Sequence, residues 1–201
     1  MKGLKSIIFA VAMVLTQGLW AQESPMPMLE NSATQILSTL KANKGSLKND
    51  SHIIYEAVAR YLLPNVDVSG MSRSVLGRNA WRRASASEKD QFAKAFTQLV
   101  IRTYATPLAE YTNETIEFLP MRGSLEGRFV RVNSVIVRSN GKNIPLSYSL
   151  VALNGKWKIY DLSVEGVSLL QSFRSQFAEA LQNSSIQELI KQMKQQNKKA
   201  A

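Results

Sequence analysis

GKWKIYDLSVEGVSLLQSFRSQF, residues 155–177, is the stretch that decides the fold. Trp157 to Val164 reads as a strand, and Glu165-Gly166 stops it. An amphipathic helix starts at Ser168, with Leu169, Leu170, Phe173, Phe177 and Leu181 along one stripe. Gly166 permits a sharp strand-to-helix turn, because glycine adopts conformations closed to other residues. The stretch is dense in large apolar side chains and holds no obvious catalytic group.

Upstream of it lies a run of strand signals. Thr115–Leu119 and Arg128–Val137 are rich in β-formers. Asn140-Gly141 and Asn154-Gly155 are both hairpin turns of the kind that needs positive φ at two positions. Between them Ile144, Leu146, Tyr148 and Leu150 alternate on one face. Ser147, Ser149, Val151 and Leu153 occupy the other, so neither face is purely polar. Pro145 belongs near a strand start or an edge.

Further upstream the period is helical. A first helix is expected over about Leu29–Lys44, and Gly45-Ser46 breaks it. Asp50 or Ser51 caps a second, with Ile54, Val58, Tyr61 and Leu62 on its apolar side and Pro64-Asn65 as its stop. Asp67 or Ser69 caps a short third holding Met71, Val75 and Leu76. Ser85-Ala-Ser-Glu88 is a capping box, followed by a long helix with Phe92, Phe96, Leu99, Val100 and Thr103 in a stripe. Pro107 is expected to end or kink that helix. Past residue 181, Ser184-Ser185 restarts a final helix with Ile186, Leu189, Ile190 and Met193. Helices, an antiparallel meander of about four strands, then helices make an α+β fold.

The chain begins with Lys2 and Lys5 ahead of an apolar run from Ile7 to Leu15. That run is shorter than the roughly 20 residues a bilayer span needs. Residues 1–21 read as a signal peptide cut after Ala21, with an uncleaved anchor as the alternative. The remaining 22–201 read as a single domain, with 22–28 and 194–201 as flexible tails. Export of this kind fits a bacterial periplasm. There is no cysteine, so neither a disulfide nor a lipoprotein anchor is available. The net charge is +10, or +8 once Lys2 and Lys5 leave. In an exported protein, anionic lipid surfaces or acidic partner proteins, and not nucleic acid, are the fitting targets. A solvated basic surface is the plain alternative.

Catalysis is poorly supplied. His52 is the one histidine and stands near a helix start, where it should be solvated. No nucleophile elbow, phosphate loop, dinucleotide fingerprint or metal-binding helix is present. No cofactor or metal is expected. Asp161 is the one carboxylate in a strongly apolar strand, and alternation places it beside Trp157 and Ile159. Buried there, it could serve as a general base; paired with an arginine or at the sheet edge, it would be structural. Arg174 falls between Phe173 and Phe177, where it could hold a phosphate, snorkel or pair with an acid. Arg73, Arg78, Arg82 and Arg83 cluster about Trp81 as a docking patch or a solvated basic face. The apolar faces outnumber what a simple core needs. From the residues alone a filled core is favoured over a ligand cavity, and both stay open.

The chain resembles the MlaC family, also called the toluene-tolerance auxiliary family. The resemblance rests on Trp157-Lys-Ile-Tyr-Asp161-Leu-Ser-Val-Glu165-Gly166-Val167-Ser168 followed by Phe173-Arg174-Ser-Gln-Phe177. It extends to Val75-Leu76-Gly77, Trp81, Phe92, Phe96, Thr103-Tyr104-Ala105 and Tyr111, and spans about residues 28–193. Residues 120–127 match no family pattern. The resemblance implies a highly curved antiparallel sheet of four to five strands wrapped by helices, cone-like, with an apolar cavity. It implies a periplasmic phospholipid carrier, with two acyl chains buried and the head group in water. The implied partners are an outer-membrane lipoprotein–porin complex and an inner-membrane ABC transporter with its substrate-binding ring, the carrier acting as a monomer that maintains outer-membrane lipid asymmetry. The expected lipid-contacting residues are Tyr104, Val135, Leu146, Tyr148, Val164, Val167, Leu170 and Phe173. A basic adaptor or holdase, and an enzyme using Asp161 in the same cavity, are the competing readings.

Overall fold

The structure is a computed structural model that describes residues 23–111, 113–121, 125, 127–138 and 141–199. The expected signal peptide lies outside the described residues, as do Asn140 of the first hairpin turn and half of the unmatched segment 120–127. Seven α-helices and five strands follow in chain order. They are α1 (Met26–Ala42), α2 (His52–Tyr61), a short 3₁₀ turn (Leu63–Asn65), α3 (Val68–Leu76), α4 (Arg78–Arg83), α5 (Ala86–Ala109), β1 (Thr115–Phe118), β2 (Phe129–Val137), β3 (Ile144–Leu153), β4 (Lys156–Val164), β5 (Val167–Ser168), α6 (Leu169–Asn183) and α7 (Ile186–Lys199). The strands form one antiparallel sheet in the order β1-β2-β3-β4-β5, an α+β meander.

Local signals place most boundaries. Asp67 caps α3 by accepting from the Gly70 amide. Ser85 and Glu88 complete both halves of the capping box on α5. Asn154 (φ 51°) and Gly155 (φ 74°) make the β3–β4 turn in the left-handed region. Glu165 (φ 50°) and Gly166 (φ 82°) repeat that geometry. The chain therefore folds back as a tiny hairpin, pairing Val167 with Val164 and Ser168 with Ser163, before α6 begins. Ser168 caps α6 through the Gln171 amide. Helix α5 runs two residues past Pro107, and its capping box holds the other end.

The N-terminal boundary differs from expectation. Helix α1 opens at Met26, and Pro25 before it is buried. Proline suits a helix entrance because its missing amide would be unsatisfied there anyway. The Trp157 indole donates to the Glu23 carbonyl at 2.6 Å, which fastens this segment to β4. At the other end, α7 is helical through Lys199.

One local feature alters a face assignment. Leu150 registers with Ile159, but Ser149 registers with Asp161, so Tyr160 is an extra residue in β4. This bulge reverses the alternation beyond it. Leu162 and Val164 join the row of Trp157 and Ile159, and Asp161 moves to the opposite side.

Two kinds of interior result. Between α3, α5, α6 and α7, Phe92, Phe96, Phe173 and Phe177 pack ring against ring at centroid distances of 5.3–5.9 Å. Phe92–Phe177, Phe96–Phe173 and Phe96–Phe177 meet edge to face, which suits the aromatic quadrupole, while Phe92 and Phe96 stack. Across the inner face of the sheet, Leu29 of α1 joins Val132, Leu146, Tyr148, Leu150, Trp157 and Ile159. A third cluster of Leu40, Leu47, Ile54 and Ala105 closes the far end of α1 and α2.

Candidate functional site

The sheet and the helices α1, α2 and α5 do not close on each other completely. Two adjoining hollows lie between them and share Val58, Leu62, Tyr148 and Leu162 in their walls. The inner hollow, of about 90 Å³, is bounded by the 3₁₀ turn, α3, the middle of α5 and β4. The outer one, of about 340 Å³, runs along α1 to the C-terminal end of α5, the end of β2 and the start of β3.

The chemistry changes along this space. The inner hollow is walled by Val66, Val68, Met71, Val100, Ile101 and Leu169, with Thr97 and Tyr148 as its polar groups. Further out Leu29, Ile36, Leu37 and Leu108 face Ile136 and Ile144. Tyr148 and Ser32 are bound to the protein itself. The Tyr148 hydroxyl lies 3.4 Å from that of Ser134, and the Ser32 hydroxyl donates to the Met28 carbonyl and accepts from Asn65. Burial holds the Tyr148 phenol above its ordinary range, with the Ser134 hydrogen bond working the other way. Charged groups appear only among the residues of the outer hollow: Glu110, Glu114 and Arg138, beside Tyr111. Arg138 and Glu114 face each other at 3.9 Å.

This geometry accommodates a long apolar molecule with one polar end. Asp161 is absent from both walls. Its carboxylate accepts from the Ser168 hydroxyl at 2.6 Å and from the Leu170 amide at 3.1 Å, which holds the entrance of α6. A carboxylate at a helix N-terminus is favourably placed by the helix dipole. His52 is exposed beside Glu56. Among the described residues, no group of three or more histidines, cysteines or carboxylates could hold a metal ion.

The residues expected to contact lipid are dispersed. Leu146 and Tyr148 stand in the cavity wall, and Tyr148 is common to both hollows. Val164 lies on the same face of the sheet, packed at the edge of that cluster. Val135 registers with Pro145, on the face opposite Tyr148. Tyr104 is half-buried on α5 outside both walls. Phe173 belongs to the packed aromatic cluster, and Leu170 borders it. Val167 is 60% exposed on β5. Sequence reasoning passed over Val58, Leu62 and Leu162, which line both hollows. Val58 and Leu62 were legible as an apolar stripe, but a stripe does not say whether it faces atoms or space. Leu162 reached the wall only through the bulge.

A profile of the family described as MlaC protein matches residues 30–195. The toluene tolerance protein ttg2D of Pseudomonas putida is 30% identical over 164 residues, covering 82% of this chain and 76% of that protein. The intermembrane phospholipid transport system binding protein MlaC of Haemophilus influenzae is 28% identical over 187 residues, covering 92% of this chain and 87% of its own. Among solved structures, a phospholipid-binding protein from Ralstonia solanacearum in complex with a phospholipid superposes with a TM-score of 0.80. It shares 23% identity, over 89% of this chain and 99% of that one.

Proposed function

This chain belongs to the MlaC family, and we propose on that premise that it is a phospholipid carrier of the bacterial periplasm. The acyl chains occupy the two hollows, and the head group stays near Glu110, Tyr111, Glu114 and Arg138. The observation that supports this reading is the cavity itself: long, apolar at depth, with charged side chains only toward the open end. The carrier works as a monomer and exchanges lipid between an outer-membrane lipoprotein–porin complex and an inner-membrane ABC transporter. No helix among the described residues is long and apolar enough to cross a membrane.

Free energy explains why such a carrier is needed. Each methylene moved from bilayer to water costs about 0.8 kcal/mol. For two chains of roughly 30 methylenes in all, the cost is on the order of 20 kcal/mol. An apolar cavity removes most of that barrier without any bond being made or broken. Head-group recognition is not required for this, and Tyr148 and Ser32 are bound within the protein.

The test is native mass spectrometry of the mature protein from periplasm, with lipid extraction of the same sample. A stoichiometric phospholipid mass is expected. A protein that stays empty after incubation with phospholipid vesicles would sink the reading.

A further inference from the structure

A second concave feature lies on the outside of α3, away from the cavity. It is a surface groove lined by Arg73, Arg78, Arg82, Lys89 and Arg174 around Trp81, and no carboxylate stands in its wall. The Lys89 ammonium sits over the Trp81 ring, 5.5 Å from its centroid. The four arginines are exposed, and none takes part in an ion pair among the described residues. Four elements contribute, because Arg73 comes from α3, Arg78 and Arg82 from α4, Lys89 from α5 and Arg174 from α6. Like charges gathered from four elements raise the local positive potential and disfavour the empty groove. Arg174 is aimed here and not into the aromatic cluster on either side of it.

We propose that this groove is a docking site for an acidic segment of a protein partner. Charge complementarity requires an anionic occupant, and the shape chooses between the two macromolecular kinds. A bilayer is met by projecting apolar side chains that insert below the head groups. Among the described residues the exposed large apolar side chains are Leu119, Phe129 and Val167, and none lines the groove. Trp81 is half-buried under Lys89 and unavailable as an interfacial anchor. The cavity mouth also lies toward the other end of α5, and Lys89 to Glu110 is about 30 Å along that helix at roughly 1.5 Å per residue. A membrane seated on the groove would leave the mouth far from the lipid. Aspartate and glutamate side chains on a protruding segment fit a concave arginine-lined surface, and arginine forms paired hydrogen bonds with carboxylates.

The experiment is fluorescence anisotropy with a labelled twelve-residue oligo-glutamate peptide, run against the intact protein at low and high salt. The variant R78E/R82E is compared with K142E/K156E, which makes the same charge change on exposed lysines near the sheet turns. Binding by R78E/R82E is expected to weaken about tenfold or more, with the control changed by less than about threefold. Unchanged thermal midpoints show that both fold, and R73Q/R174Q provides a milder pair should R78E/R82E not. Equal loss in both variants would overturn the proposal in favour of diffuse attraction. Retained peptide binding with lost binding to phosphatidylglycerol vesicles would overturn it in favour of a membrane surface. The choice of a protein over a bilayer rests in part on the carrier reading, but the groove is separate from the cavity, so peptide binding is expected whether or not the cavity holds lipid.

Discussion

The two halves of α5 serve opposite kinds of interior. Toward its N-terminus Phe92 and Phe96 interlock with Phe173 and Phe177, and Phe92 has no exposed surface. From its middle onward Val100, Ile101, Pro107 and Leu108 border empty space. Both halves are apolar, so hydrophobicity does not separate them. What separates them is the partner surface. In the first half, α3, α6 and α7 bring side chains that fill the gaps. In the second, the sheet lies across from α1 and α2 and leaves their aliphatic faces unmatched. A void lined by residues otherwise fit for a core keeps the dispersion contacts on one side only.

The sharpest attack on this comparison is Phe92→Ala. Truncating a ring in a filled cluster should cost about 3–5 kcal/mol. It would appear as a much lower urea midpoint. Leu162→Ala, on the wall of both hollows, should cost distinctly less in the lipid-free protein, near or below about 2 kcal/mol, because part of its environment is already empty. Equal losses for the two would mean that the hollow closes in solution.

Leu62→Trp works in the other direction. Leu62 lines both hollows, so the larger side chain enters open space and should change stability by less than the roughly 1–3 kcal/mol of ordinary overpacking. Lipid recovered with the protein should fall severalfold. A variant that is strongly destabilised yet keeps its lipid would show that the hollow is misplaced.

Tyr148→Phe is the finer probe. It removes a 3.4 Å hydrogen bond to Ser134 and should cost about 1 kcal/mol, with lipid content unchanged. It should also alter the alkaline response. Burial raises the Tyr148 pKa above its ordinary value of about 10, so the folded state keeps a proton that the unfolded chain loses. Its contribution is complete below about pH 10 and falls as pH rises beyond that value. Tyr104 and Tyr111 are shifted in the same direction, both mainly by burial, and Glu114 adds to the effect at Tyr111. Unfolding midpoints measured from pH 8.5 to 11 should therefore decline, and decline less steeply in Tyr148→Phe. An identical slope in both proteins would remove Tyr148 from this account.

What sequence could disclose follows the range of the interactions involved. Caps and turns act within a few residues, so Asp67, Ser85 with Glu88, Ser168 and Asn154-Gly155 were all readable and all stand where expected. The resemblance to the MlaC family likewise rested on contiguous motifs. The wall of the cavity is a long-range matter. Val58 meets Tyr148 across ninety residues of chain, and periodicity carries no sign of the gap between them. Arg138 and Glu114 come together only because β1 and β2 pair. Val135 was chosen on alternation that the register places on the outer face, and Asp161 on alternation that Tyr160 interrupts.

That interruption gives β4 a property resembling a reading frame. A strand encodes side by odd and even positions, and Tyr160 shifts the count once, between Ile159 and Asp161. The same residues paired without that bulge would keep unbroken parity. Asp161 would then turn its charge toward the space walled by Leu162, and the N-terminus of α6 would lose the carboxylate that receives it. One bulged residue thus holds two outcomes together, a lining free of charge at depth and a secured start for the helix that follows.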